Sequence, residues 1–383
     1  SIKLKHGILI RDFGSSAAPP RGEWTRTGIV FGTPNQDLAY GLLCQRNGTR
    51  GLLSVLQGFI LKYFLFDKRY RERVRSVEEA LRPNEHHQTE ALIQSMVEIL
   101  LAIAGKTKVV IAIPGEEPFI PHSLTYFQDS VTEKLYLFEM KRMDQVQVFL
   151  RRNLKFFTED PGPGAMLFLY SAVLTRTLVK VRTDLDCLRG SYLVGPAEEG
   201  SLNVVTLLLT GRATPHLHNG VIQVGDEEHY AIPQYGVLNR TFIGLLLLEI
   251  TKGNEITRQP GSRLKTPILP IWITWCTGHY GVIFNNNQEL LRNYHAESKF
   301  DLMYYSCSGN QISMTVDNKH YNERANYMLQ RQSSVANVPS APEREESVVV
   351  TPLERLIRTK WEEAHIRIHS QPSLLSYLFN TAN

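Results

Sequence analysis

The stretch YGLLCQRNGTRGLLSVLQGFILKYFLF, residues 40–66, decides the reading of this chain. Asn47-Gly48 and Gly51 make a tight loop, because asparagine and glycine accept the backbone conformations a turn needs. Directly after it, Leu52, Val55, Leu56, Phe59, Ile60 and Tyr63 recur at three- and four-residue steps, which predicts a helix with an apolar face. A loop that feeds a helix is a favourable seat for a nucleophile. The free N–H groups of the first turn and the helix dipole favour a thiolate and lower its pKa.

Outward from this stretch the chain reads as helices first and strands later, an α+β pattern. Upstream, residues 1–39 are rich in Gly, Pro and Ser and read as an irregular lead-in, least ordered over 1–22. Lys68 to Arg75 carries five cations and one Glu, the composition of a solvated helix end. Ile93, Met96, Val97, Leu100, Leu101 and Ala104 predict a second helix stopped at Gly105. KVVIAI (108–113) predicts a buried strand, and KLYLFEM (134–140) a weaker one. Further helices are expected from Ala165 to about Val181, over 201–211 with Gly211 as the stop, and over VLNRTFIGLLLLEI (237–250). IWITWC (271–276), YGVIF (280–284), FDLMYYS (300–306) and ISMTV (312–316) read as strands. Residues 318–348 are polar and contain SSVANVPSAPEREES, so a disordered insertion is expected there. Order returns at 355–369, with strand-like alternation from Ala364 to Ile368.

Bulk properties narrow the class. Apolar residues make up 43% of the 383 and charged residues 21%, enough for an ordinary core. The formal charge of +4 is too small an excess to point to nucleic acid. No run of about 18 apolar residues exists, so no membrane span is expected. The four cysteines, Cys44, Cys187, Cys276 and Cys307, lack C-x-x-C spacing and are too sparse for a disulfide framework. Free thiols in the cytosol or nucleus are the expectation. The chain opens on Ser1 rather than Met, as an excerpt of a longer protein would. His86-His87 and His216-x-His218 raise the question of metal, but neither pair has Cys or acidic residues at ligand spacing; loop histidines, no metal and no cofactor are expected.

Residues 40–51 resemble the nucleophile motif of the MINDY deubiquitinase family, in its third- and fourth-subfamily branch. The family pattern runs approximately Tyr-Gly-Leu-Val-Gln-Glu-Lys-Gly-Gly-Pro-Cys-Gly, and Tyr40, Gly41, Leu42, Gly48 and Gly51 match it without gaps. LFLYSAVLTRTLVKVRTDLD (167–186), LNVVTLLLTGRA (202–213), FDLMYYS (300–306) and PLERLIRTKW (352–361) resemble further family segments in chain order. LKTPILPIWITWCTGHYGVIF (264–284) resembles the segment that carries the catalytic histidine. The resemblance implies one catalytic-type domain with a compact papain-like cysteine peptidase fold, in place of the two or three domains that length alone suggests. It also implies ubiquitin or polyubiquitin as partner.

The same alignment places Arg50 at the nucleophilic cysteine, Cys44 at the glutamine that helps bind the oxyanion, and His279 at the general base. An arginine side chain stays protonated and has no attacking atom. The resemblance therefore implies an inactive relative, a pseudo-deubiquitinase. Arg50 is expected to point outward or to meet a carboxylate, since a cation opposes the dipole at a helix start. Two rivals stand beside this reading. One is an active hydrolase with Cys44 as relocated nucleophile and His279 as base, disfavoured because Cys44 lies six residues before Arg50 and would lose the help of the dipole. The other is an interaction domain with no ubiquitin contact. A third, orienting residue is not placed, although Asn285, Asn286 and Asn287 follow His279 closely.

Overall fold

In a computed structural model, residues 22–45, 47–118, 129–185, 191–195, 199–225, 232–249, 258–318 and 350–369 are described. The expected insertion at 318–348 lies outside them but for Asn318, and so does the lead-in up to residue 21.

The loop at 44–49 opens into helix α1, Arg50–Phe66, as the sequence pattern predicts. The burial is more complete than one apolar face requires, because every residue from Gly51 to Leu61 is buried. A helix apolar on all sides is a core helix. Around α1 pack α2 (Glu85–Ala104), α4 (Gly164–Arg176) and α6 (Leu202–Thr210), with α3 (Met143–Asn153) outside α2. Gly105 and Gly211 end α2 and α6 at positive φ, 58° and 76°, where a side chain would be strained. The cationic run behaves as expected for a helix end. Lys68–Arg71 forms one short turn that exposes Lys68 and Arg69 and buries Tyr70, capped by Asp67 through the Tyr70 N–H.

The remaining face of α1 is covered by a six-stranded sheet of order β12-β11-β10-β9-β8-β7. Its strands are β7 (Gly244–Leu248), β8 (Ile271–Cys276), β9 (His279–Phe284), β10 (Lys299–Ser306), β11 (Asn310–Asp317) and β12 (His365–Ile368). Strand alternation divides the side chains between two cores. Leu245, Leu247, Ile271, Ile273, Tyr280 and Val282 join the helical core. Leu246, Leu248, Trp272, Ile283 and Leu302 face away, and helix α7 (Pro352–Arg358) covers them with Leu353, Leu356 and Ile357. Two-stranded ribbons complete the set: β1 (Val30–Phe31) with β2 (Leu42–Leu43), β3 (Val109–Pro114) with β4 (Leu135–Met140), and β5 (Val221–Val224) with β6 (Ile232–Tyr235). The mixture is α+β. Among the described residues no single helix is long and apolar enough to cross a membrane.

Three expectations need correction. The segment 237–250 is not a helix: its GLLLL core is β7, fully buried and parallel to β8. Leucine favours helices, but a strand covered on both faces also reads as an unbroken apolar run, and burial overrides propensity. The described part of the lead-in, residues 22–39, is packed rather than loose, with Trp24 and Ile29 fully buried and β1 paired to β2. Finally, the helix expected over 165–181 breaks at Thr177, whose φ is +76°, and resumes at 88° as α5 (Leu178–Asp184).

That break is held by a buried charge cluster. Asp184 accepts from Arg176 Nε at 2.7 Å and Nη2 at 2.8 Å, from Arg212 at 3.0 Å and from the Ala213 N–H at 3.3 Å. Its side chain is 1% exposed. Removing one partner of such a cluster strands the others in a low-dielectric site. Asp184→Ala should therefore cost about 3 kcal/mol of unfolding free energy, read from the urea midpoint at unchanged m-value.

Candidate functional site

The loop before α1 is tied down from three directions. Buried Gln57 reaches back from the second turn of α1; its Oε1 accepts from the Leu42 N–H at 2.6 Å and its Nε2 donates to the Tyr40 carbonyl at 3.1 Å. From β10, the Tyr305 hydroxyl donates to the Leu42 carbonyl at 2.9 Å. The Cys44 N–H donates to the Cys307 carbonyl at 2.5 Å. A side chain at Gly41 would put its Cβ 2.2 Å from the Tyr305 hydroxyl oxygen, so only glycine fits there. On the far side, the Gly200 N–H bonds the Gly48 carbonyl at 2.7 Å, and the Tyr280 hydroxyl donates to the Gly200 carbonyl at 3.4 Å. The Tyr280 ring lies against Gly51, 3.1 Å from where a Cβ would stand.

Arg50 is the first residue of α1. The N-cap residue Thr49 gives no side-chain cap, and the first turn holds no acidic residue. The Glu23 carboxylate is nearby but accepts from the Thr49 N–H, at 3.3 Å. Arg50 is half-buried, and among the described residues its guanidinium meets no carboxylate. Its Nη2 makes one long contact to the Cys44 carbonyl at 3.4 Å, and its Nε is buried without a hydrogen-bond partner. Among the described residues it forms no ion pair.

His279 begins β9 at the end of the sheet where Tyr280 meets Gly51. Strand alternation turns Tyr280, rather than His279, toward α1. Burial lowers the pKa of His279, and the positive charge of Arg50 lowers it further. The two residues singled out in the sequence are therefore within electrostatic reach, and the imidazole is neutral at neutral pH.

Cys44 is closer to the helix start than its sequence separation implies. The chain turns back on itself between β2 and α1, so the Cys44 sulfur sits 3.3 Å from the Thr49 hydroxyl at the N-cap. It is also buried, at 3% exposure. Burial pushes the thiols of Cys276 and Cys307 up, to about 11 and about 12, which keeps them inert. Cys187 lies outside the described residues.

Asn285 is anchored elsewhere, donating to the Asp301 carbonyl at 2.5 Å. It follows the last residue of β9, roughly 20 Å from the His279 end at the usual strand rise, so it does not orient the imidazole. His86 and His87 are in the first turn of α2 rather than in a loop. Among the described residues no group of three or more His, Cys, Asp or Glu is placed to hold a metal ion. A cavity of about 630 Å³ opens beside Cys44 and Gln45, walled by Arg26, Val30 and Asp160. A second, of about 220 Å³, lies beside Gly200 and Tyr280 and includes Arg258 and Trp275. Gln57, Tyr280 and Gly200 were not legible as site residues; the nearest signal was a glutamine inside an otherwise apolar helix.

Residues 11–370 match the family model described as deubiquitinating enzyme MINDY-3/4, conserved domain, and the chain belongs to that family. It is 30% identical over 370 residues to "Probable ubiquitin carboxyl-terminal hydrolase MINDY-4" of Xenopus tropicalis, covering 95% of this chain and 45% of that protein. Its identity to the Mus musculus protein of the same name is 30% over 379 residues, covering 98% and 47%. The human "Ubiquitin carboxyl-terminal hydrolase MINDY-3" is 29% identical over 129 residues, 33% of this chain and 27% of that protein. The chain thus spans about half the length of the MINDY-4 relatives. No solved structure matches it significantly.

Two outcomes follow from this geometry. Gln57→Leu strands the Leu42 N–H and the Tyr40 carbonyl in the core, and should lower stability by about 1–3 kcal/mol for each stranded group, measured by urea unfolding. Arg50→Gln removes the repulsion felt by an imidazolium at position 279. The His279 resonances in an NMR titration should then move to a higher pKa that still lies below the ordinary histidine value, because burial remains the larger cause.

Proposed function

We propose that this chain is a catalytically inactive, papain-like member of the deubiquitinase family that still holds ubiquitin or a ubiquitin chain. The observation that carries the reading is Arg50 at the first residue of α1, where a thiolate would be stabilised. A guanidinium is protonated at working pH and has no lone pair to attack a carbonyl. His279 keeps the neutral imidazole a general base needs, but a base without a nucleophile completes no acyl transfer. Cys44 stands where the family resemblance places the oxyanion-binding glutamine, and losing such a donor typically costs about 3 kcal/mol of transition-state stabilisation. The relatives are named as ubiquitin carboxyl-terminal hydrolases, which makes ubiquitin the partner this reading takes. Only four cysteines in 383 residues suit an intracellular setting.

One observation favours a second reading. The Cys44 sulfur at the N-cap hydroxyl places a thiol beside the helix start after all. Its burial works against this role, since a thiol held at 3% exposure is hard to ionise and hard for substrate to reach.

The wild-type chain should leave ubiquitin chains of every linkage intact and should not label with a ubiquitin probe that carries a cysteine-reactive group. Arg50→Cys combined with Cys44→Gln returns a thiol and an amide donor to the site, and should gain detectable labelling. Chain cleavage by the wild type that disappears in Cys44→Ala would overturn the inactive reading in favour of the relocated thiol.

A further inference from the structure

One edge of the six-stranded sheet is bare at its end. β12 pairs with β11 from His365, opposite Asp317, to Ile368, opposite Met314, and the His369 N–H adds a bond to the Ser313 carbonyl at 2.9 Å. β11 itself begins at Asn310, and among the described residues no strand pairs with the outer edge of Asn310–Ile312. Antiparallel pairing sends the chain out of β12 along that bare edge, toward Asn310. The edge ends at the turn 307–309, about 10 Å beyond Ser313 at the usual strand rise. This turn meets the loop before α1: the Cys307 carbonyl accepts from the Cys44 N–H, and the Leu43 side chain lies 3.6 Å from where a Cβ on Gly309 would stand. Leu43 is 41% exposed and, with Val30, Cys44 and Pro161, lines the cavity of about 630 Å³.

Beyond the described residues the sequence continues as SQPSLLSYLFNTAN (370–383), which has no charged side chain and gathers Leu374, Leu375, Tyr377, Leu378 and Phe379 in one short run. Continued in the register of β12, Ser370 falls opposite Ile312, Gln371 opposite Gln311 and Pro372 opposite Asn310. Ser313 turns its backbone groups toward β12, so Gln311, two residues away, turns the same way and stands ready to pair with Gln371. Pro372 then has its nitrogen on the solvent side, where an edge strand tolerates proline, and it comes where β11 runs out.

We propose that residues 370–379 are a strap bound in cis: Ser370 and Gln371 extend β12 along β11, and the run Leu374–Phe379 folds over the turn 307–309 to seat in the cavity against Leu43 and Val30. An apolar, uncharged run gains from leaving water, and these are the part-exposed apolar side chains on its path. The strap closes the Cys44 side of the loop, whatever the site binds.

The test is hydrogen exchange by NMR on the full chain, with methyl-labelled leucine to read contacts of Leu43. The Gln311 N–H should exchange about tenfold or more slowly in the full chain than in a chain ending at His369. Full-length Gln371→Pro, which cannot donate into the edge, should exchange like the shortened chain. Leu43 methyls should show cross-relaxation with a leucine methyl of the strap, lost in Leu375→Asp/Leu378→Asp. Exchange in the β8 amides at the wild-type rate shows that each variant is folded, and the full-length variants carry the test if the shortened chain fails to fold. Equal Gln311 exchange in wild type and Gln371→Pro would overturn the strand extension. Absence of the Leu43 contact would overturn the seat in the cavity. Protection that fades on dilution would assign the strap to a second copy and overturn the cis reading.

Discussion

The burial of helix α1 on every side is the constraint on which the rest depends. From Gly51 to Leu61 the helix has no solvent face, so helices must pack around part of its circumference and a sheet around the remainder. Gly58 marks how close the sheet comes, since a Cβ there would lie 3.0 Å from the Ile273 side chain. Fully burying one leucine contributes about 1.5–3 kcal/mol, so a helix with this many buried apolar residues dominates the core. Its start is thereby held at the end of the sheet, and whatever side chain occupies that start is carried into a partly desolvated place.

A desolvated helix start has a definite electrostatic preference. Unbonded N–H groups and the dipole favour negative charge, which is why such a position suits a thiolate. Arg50 puts a positive charge at that position. The consequences are visible in its surroundings: an unpaired Nε, a long contact to the Cys44 carbonyl, and a histidine kept neutral partly by the added charge. The loop is tightly held by Gln57, Tyr305 and Gly200. Fold and chemistry are thus separable here. Backbone bonds and apolar packing maintain the site's shape, while its reactivity rests on side chains that those bonds do not involve.

Close approach governs the neighbourhood as much as charge does. A Cβ at Gly200 would come within 2.9 Å of the Gly48 carbonyl, and one at Gly41 would collide with Tyr305. These contacts leave little room for the loop to shift so as to expose Cys44, whose sulfur is already engaged with Thr49. The same tight turn brings Cys44 to the N-cap and buries it.

Local pattern was enough to determine α1, α2, α6 and strands β8 to β11, because each has a periodic or β-rich apolar signature with glycine or polar breaks at its ends. The family resemblance, rather than the local pattern, singled out Arg50, Cys44 and His279. Only the tertiary structure could decide the others. GLLLL is a strand because both of its faces are covered, and no period in the sequence records which neighbours do the covering. The helix after Pro163 bends at Thr177 because Arg176 and Arg212 converge on Asp184 from different segments. Trp24 is core because a fold contact reaches it, in a stretch whose composition reads as loose. The environment of Arg50 depends on side chains from residue 23 to residue 279, and a charge meets its partners, or finds none, only once distant parts of the chain have packed together.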